Sequence, residues 1–274
     1  MNISILGCGW LGFPLAKQLL KLGHTVTGST TSPGNVNRFL AAGIQPILLK
    51  LPAPESDISR LEDFFSADVL LVAIPPAIHK QGTDFHLNQL ESIEVLLPKP
   101  KQLIYISSTS VYPKQAGTYA EAYHLTKKNT GNSTLFKAET LLKALRPDCT
   151  IVRMGGLMGD DRIPGKRNPG ALPPQPKSPV NFIHLDDATG LLAFLIENNI
   201  TAELINGVAP YHPTRISVYE AAARKAGYPL PKINKGENLE DEHRIIDSEY
   251  LIATLEYSFK QPNPQKFTYS KPNS

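Results

Sequence analysis

The stretch Ile3-Ser4-Ile5-Leu6-Gly7-Cys8-Gly9-Trp10-Leu11-Gly12, followed by Leu15, Ala16, Leu19 and Leu22, decides how this chain is read. Ile3 to Leu6 is a short apolar run bounded by glycine, the pattern of a strand buried on both faces. Leu11, Leu15, Leu19 and Leu22 share one face at helical spacing, and Gly23 stops the helix. A strand, a Gly-x-Gly-x-x-Gly turn and an amphipathic helix in that order form a pyrophosphate cradle. Gly7 allows the tight turn, Gly9 lets backbone approach the phosphates, and Gly12 lets helix pack on sheet. The helix N-terminus adds free N–H groups and the positive end of its dipole. Trp10 lines the pocket or simply packs.

Outward from this unit, apolar runs alternate with helical patterns. Strands are expected at 25–27, 44–49, 69–74, 102–107 and 150–154, and helices at 35–42, 87–97 and 135–145. That alternation predicts an α/β fold with a parallel sheet covered on both faces. After Gly155 the composition changes. Pro164, Pro169, Pro173, Pro174, Pro176 and Pro179 crowd a stretch expected to be a long irregular loop over 159–179. Order is expected to resume at Val180 to Ile183, with helices at 186–198 and 217–226, a strand at 204–208, and a frayed tail from Gln261. The domain expectation is 1–155 for the dinucleotide unit and 156–274 for a mixed C-terminal region.

The 274 residues suffice for a substantial core without disulfides or metal. A net charge of +3, with Lys and Arg scattered, offers no nucleic-acid surface. The two cysteines, Cys8 and Cys149, form no disulfide framework and no metal spacing, and they suit a reducing compartment. The longest apolar run, Val69 to Ala77, falls short of the roughly 18 residues that a membrane span needs. No targeting segment is visible, so a cytoplasmic protein without a membrane partner is expected.

An NAD site usually places Asp or Glu after the second strand, about 20 residues beyond the glycines, to hold the ribose 2′-hydroxyl. Here no acidic residue precedes Glu55. The matching segment is Gly28-Ser29-Thr30-Thr31-Ser32, whose hydroxyls, with Arg38, suit a 2′-phosphate. NADP is therefore expected over NAD.

The chain resembles the extended short-chain dehydrogenases/reductases, which include NAD-dependent epimerases and dehydratases, over nearly its whole length. The resemblance rests on the glycine motif, on Ile106-Ser107-Ser108-Thr109-Ser110-Val111-Tyr112, on Val152-Arg153-Met154-Gly155-Gly156, and on Val180 to Asp187. It implies a doubly wound Rossmann sheet with a small C-terminal substrate region. It also implies hydride transfer with a sugar-like or nucleotide-sugar substrate, and it allows a homodimer. In that family a Ser, a Tyr and a Lys one helical turn after the Tyr do the chemistry. Ser108 matches the serine and would hold the substrate oxygen. Lys137 matches the lysine, which holds the nicotinamide ribose and favours the phenolate. Ala73 and Leu11 join the cofactor side.

The tyrosine slot falls on Ser133, whose hydroxyl is too weak an acid to replace a phenol at neutral pH. The literal Tyr-x-x-x-Lys is Tyr123 to Lys127, earlier in the chain. Tyr112, Tyr119 and Glu121 are the other acid/base candidates. Arg153 pairs with an acid or contacts substrate phosphate. In the loop, Arg162, Lys166 and Arg167 suit a diphosphate. Asp186 reads as a helix N-cap. The loss of the phenol keeps a second reading open, a cofactor-binding sensor or scaffold without catalysis.

Overall fold

The computed structural model describes residues 1–52, 58–76, 82, 84–96, 100–232 and 243–269. Glu55, Ala77 and Leu97 lie outside them. The chain forms two compact units that interleave along the sequence. One comprises 1–111, 125–153 and 189–204, the other 112–124, 154–188 and 205–274.

The first unit carries the strands β1 (Asn2–Leu6), β2 (Thr25–Thr30), β3 (Gln45–Leu48), β4 (Val69–Val72) and β5 (Gln102–Ser108). With β7 (Thr150–Met154) and β10 (Leu204–Gly207) they give a seven-stranded sheet in the order β10-β7-β5-β4-β1-β2-β3. The pairings from β3 to β5 are parallel, with Ile3 beside both Val26 and Val69. All of β4 and all of β1 after Asn2 are buried, as expected of strands covered on both faces. Strand order reverses between β1 and β4, the switch point where ligands of such sheets bind.

Helices α1 (Gly12–Lys21), α2 (Val36–Ala41), α3 (Ile58–Phe65), α4 (Phe85–Leu96) and α5 (Ser133–Leu145) connect the strands. On α1, Leu15, Ala16 and Leu19 are buried, and Gly23 leaves the helix at φ +87°. The sequence reading missed α3, whose Leu61, Phe64 and Phe65 enter a core with Leu70, Val72, Leu90 and Leu103. Cys8 and Cys149 are free and buried, and burial pushes both thiols up to about 12.

Residues 189–204 belong to the first unit because its sheet holds them. Gln102 Nε2 donates to Leu195 O and Ile200 O, and Ile151 N donates to Glu203 O. Lys143 Nζ reaches Ala202 O at 3.0 Å.

The second unit contains two small parallel sheets of three-residue strands, β6 (Gly117–Tyr119) with β11 (Arg244–Ile246) and β8 (Gly156–Met158) with β9 (Phe182–His184). It also holds the start of α6 (Leu185–Glu197) and all of α7 (Arg215–Ala226), which begins two residues before the expected Ser217. Stretch 159–179 is irregular, as its prolines require. The tail is not frayed at Gln261. The Asp187 carboxylate gathers the amides of Lys260 and Gln261 at 2.7 and 2.8 Å, and Phe267 is buried beside Val180 and Val218. No described helix is long and apolar enough to cross a membrane.

One buried histidine makes the first unit sensitive to acid. His86 is fully buried with Nε2 2.8 Å from Tyr105 Oη, and burial holds its pKa below the ordinary value, partly offset by Gln89. The unfolded chain therefore binds this proton first. The contribution is fully present above the ordinary histidine value of about 6.5 and is lost as pH falls through the lower folded value. Urea unfolding between pH 7.5 and 5 should show stability falling with acid. His86→Gln should flatten that slope by up to ~1.4 kcal/mol per pH unit. Equal slopes in the two proteins would exclude this role.

Candidate dinucleotide site and its surroundings

The turn after β1 is dictated by space. Gly7 sits at φ +89°, and a Cβ there would lie 2.9 Å from the backbone carbonyl of Ala73, just past β4. A Cβ on Gly12 would lie 3.0 Å from both Gly7 O and Ile5 Cγ2. Gly9 is different. It is exposed, and only Gly7 O, 3.9 Å off, comes near its Cβ position. The first and third glycines are thus packed by the protein, while the middle one opens to the outside. Leu11 stands at the N-cap of α1 and supplies no side-chain cap, and the first turn holds no acid. That helix start suits a phosphate. Trp10 is half-buried in the same turn.

The hydroxyls at the end of β2 and just past it divide into two pairs. Ser29 is buried, and its Oγ accepts the Gly7 N–H at 2.8 Å, while Cys8 N donates to Ser29 O at 2.9 Å. Ser29 therefore builds the glycine turn instead of presenting its hydroxyl to a 2′-phosphate. Thr30 is also inward, its Oγ1 accepting from Ser32 N and Asn35 Nδ2. Thr31, Ser32 and Arg38 remain exposed. The Arg38 guanidinium lies 3.8 Å above the Phe13 ring, a cation–π contact. Burial dominates the Cys8 thiol, and the charge of Arg38 acts on it in the opposite direction.

At the end of β5, Ser108 Oγ accepts the Ser110 N–H at 3.2 Å, so its own hydrogen remains to donate. Asn132 caps α5 by accepting from Leu135 N, which makes Ser133 its first residue and sets Lys137 one turn later. Both Ser133 and Lys137 are exposed. Two residues beyond Lys137, Glu139 turns inward. Its carboxylate accepts from Ser107 Oγ at 2.5 Å and from Arg153 Nε and Nη2 at 3.1 and 2.6 Å. Arg153 is 4 % exposed, so it is an internal ion-pair partner and not a substrate contact. The sequence reading missed Glu139. A carboxylate on the inward face of α5 was the available signal.

In the second unit, Tyr112 is buried with Oη 2.9 Å from Asn206 Oδ1 and 3.1 Å from Ala120 O. Tyr119 Oη donates to Gln115 O, and burial raises its pKa. Both phenols are held by hydrogen bonds to the protein. Tyr123 is 37 % exposed and stacks edge-on against Tyr119 at 4.9 Å. Tyr123 and Lys127 stand outside any helix, so the literal Tyr-x-x-x-Lys lacks its one-turn spacing. Glu121 Oε1 accepts the Asn206 N–H at 2.8 Å. Asn206 is fully buried and also donates to Asp247 O. Asn181 likewise binds Arg244 O and Ile246 N, and neither asparagine was anticipated. Asp186 lies inside the first turn of α6 and is not its N-cap. Arg162, Lys166 and Arg167 are exposed on the irregular loop.

These contacts separate building residues from open ones. Gly7→Ala and Gly12→Ala should each cost about 1–3 kcal/mol through strain and crowding, and Gly9→Ala less than about 0.5 kcal/mol. Arg153→Met should cost about 3–5 kcal/mol because it strands a buried carboxylate. Urea denaturation of the four variants checks the order. A Gly9→Ala loss equal to that of Gly7→Ala would contradict this division.

Comparison with known proteins places the chain. No family model matches it. Protein YeeZ of Escherichia coli (strain K12) is 30% identical over 267 residues, covering 96% of this chain and 97% of YeeZ, and YeeZ of Escherichia coli O157:H7 matches equally. Among solved structures, a functionally unknown conserved protein from Silicibacter pomeroyi DSS superposes with a TM-score of 0.73 at 20% identity, covering 96% of this chain and 95% of that one. UDP-glucuronic acid 4-epimerase from Bacillus cereus, in complex with UDP-glucuronic acid and NAD, gives 0.74 at 19% identity, with 94% of each chain covered. UDP-glucose-4-epimerase from Stenotrophomonas maltophila, with bound NAD, gives 0.76 at 14% identity over 95% of this chain and 94% of that one. The chain belongs to the family of Protein YeeZ, and its fold is that of the extended short-chain dehydrogenases/reductases.

Proposed function

We propose that this protein binds a nicotinamide dinucleotide, NADP in preference to NAD, and transfers hydride to or from a carbonyl or hydroxyl of a sugar-like substrate. One observation carries this reading. The Gly7-Gly9-Gly12 turn lies at the switch point of the sheet, packed on two sides by protein and open at Gly9, ahead of a helix start without a side-chain cap. Residues of this shape fit a pyrophosphate. Trp10, Leu11 and Ala73 border the same turn. The nicotinamide, when bound, supplies or accepts the hydride.

The preference for NADP is supported by charge. No acid precedes Glu55, and Arg38 stands exposed with its guanidinium over the Phe13 ring. Thr31 and Ser32 are the hydroxyls left to reach a 2′-phosphate. Ser108 would donate its hydroxyl hydrogen to the substrate oxygen, and Lys137 would hold the nicotinamide ribose. Arg162, Lys166 and Arg167 would neutralise a diphosphate, as a nucleotide sugar would require. The solved neighbours that hold UDP-sugars and NAD support the same class. In domain terms, 1–155 carries the dinucleotide residues and 156–274 the substrate loop.

A second reading is favoured by Ser133, which occupies the position one turn before Lys137 where a phenol would act. On that reading the protein binds NADP as a sensor or scaffold and transfers no hydride. Tyr123 is the remaining exposed phenol of the candidate set for the catalytic reading.

Calorimetric titration decides the cofactor. NADPH should bind more tightly than NADH, and Arg38→Ala should weaken NADPH by about tenfold to a hundredfold, the value of a charged hydrogen bond, while leaving NADH nearly unchanged. Tighter binding of NADH would sink the NADP assignment. NADPH turnover against carbonyls and UDP-sugars should follow, slowed in Lys137→Ala. Tight NADPH binding with no turnover across that panel selects the sensor reading.

A further inference from the structure

Stretch 159–179 has no regular secondary structure, yet α7 and the residues that follow it hold the stretch in one course. At the start of α7, Arg215 N donates to Ser178 O at 2.9 Å and Ile216 N to Pro176 O at 2.7 Å. Just past its end, Tyr228 Oη donates to Pro164 O, and Lys232 N donates to Gly170 O at 3.1 Å. Both ends of one helix therefore grip the stretch, and all of these residues belong to the second unit. Between the grips the chain makes short turns of its own. Lys166 N returns to Ile163 O, Asn168 N to Gly165 O, and Ala171 N to Asn168 O.

Anchors and cations alternate along it. Ile163 and Pro164 are buried, while Arg162, Lys166 and Arg167 on either side of them are exposed. A Cβ on Gly165 would stand 3.2 Å from Tyr219 Cδ1 and 3.5 Å from the Tyr228 ring, so two aromatic rings close on the backbone there. Burial, with Tyr219 adding to it, pushes the Tyr228 phenol up to about 12. Its hydroxyl therefore keeps its hydrogen and stays a donor at neutral pH. Three of the four gripping bonds come from backbone N–H groups. The fourth is the Tyr228 side chain, and it holds the part of the stretch that carries the cations.

A loop that closes on its ligand loses its conformational freedom when the ligand arrives, and affinity falls accordingly. A loop ordered by folding has lost that freedom beforehand. We propose that stretch 159–179 is a preformed wall that moves with α7, not a lid, and that Tyr228 is the positioning residue that latches its cations in place. The anionic ligand of those cations rests on the reading given under Proposed function. The latch does not, because every bond in it lies within the protein.

Trypsin cuts after lysine and arginine, so Arg162, Lys166 and Arg167 report on the order of the wall. The full-length protein is digested under native conditions, and cleavage at these three residues is timed by mass spectrometry. Where reclosing outpaces cleavage, the rate follows the population of the open form. In the wild type these bonds should be cut at least about a hundredfold more slowly than in a synthetic peptide of residues 159–179. Tyr228→Phe keeps the ring and loses the hydroxyl, and it should speed cleavage by about tenfold, the value of one hydrogen bond. Its melting temperature should fall by only a few degrees. Tyr219→Phe, whose contact with Gly165 is made by the ring, should keep the wild-type rate. Inorganic pyrophosphate in excess should slow cleavage of Tyr228→Phe and leave the wild-type rate unchanged. Protection of neither protein would remove the diphosphate role of the cations, with the latch still decided by the rates without ligand. Three results would overturn the proposal: wild-type cleavage as fast as that of the peptide, equal rates in wild type and Tyr228→Phe, or strong protection of the wild type by pyrophosphate, the mark of a closing lid.

Discussion

The contact between Gly7 and the carbonyl of Ala73 is the constraint from which the first unit is built. It leaves no room for a side chain, so β1 can turn sharply only where it passes the end of β4. The Gly7 N–H freed by that turn is satisfied by Ser29 from the end of β2. Three strand ends are thereby locked together at the point where the sheet changes direction. A buried backbone donor without a partner would cost about 1–3 kcal/mol, so Ser29 belongs to the turn along with the glycine. A hydroxyl that looks like a ligand group when read from spacing is in fact part of the frame.

The same division runs through the rest of the candidate site. Ser107 faces inward to Glu139 while Ser108, the next residue on β5, faces the other way, as strand alternation demands. Glu139 is inward and Lys137 outward on one helix. The Ser107–Glu139–Arg153 network joins β5, α5 and β7 beneath the exposed groups. Such a buried pair is costly to desolvate, and its value lies in fixing one arrangement of the three elements.

What was legible in the sequence was whatever has a local cause. β4 is a continuous apolar run, β1 and β7 are mostly apolar, α1 has a clean apolar face, and the glycine spacing names its own geometry. What was not legible depends on partners far along the chain. Strands β6, β8 and β11 have three residues each, too few for a period to show. Arg153 read equally well as a ligand or a brace until Glu139 was seen opposite it. The order of the tail beyond Gln261 depends on Asp187, more than seventy residues earlier, whose carboxylate burial would otherwise penalise. The proposed roles of Ser108, Lys137 and Tyr123 rest on the family resemblance, which no local pattern encodes.

The interleaving of the two units has a consequence for biosynthesis. The first unit needs residues 189–204 to satisfy Gln102 and the edge of β7, and the second borrows 112–124 from before them. No single peptide bond divides the chain into two self-sufficient pieces. On the ribosome, the first unit stays incomplete until residue 204 has emerged, although Gly7 and Ser29 of its glycine turn lie within the first thirty residues. The nascent chain therefore carries an unfinished sheet edge through most of its synthesis, the stage at which open edges are most exposed to wrong pairing.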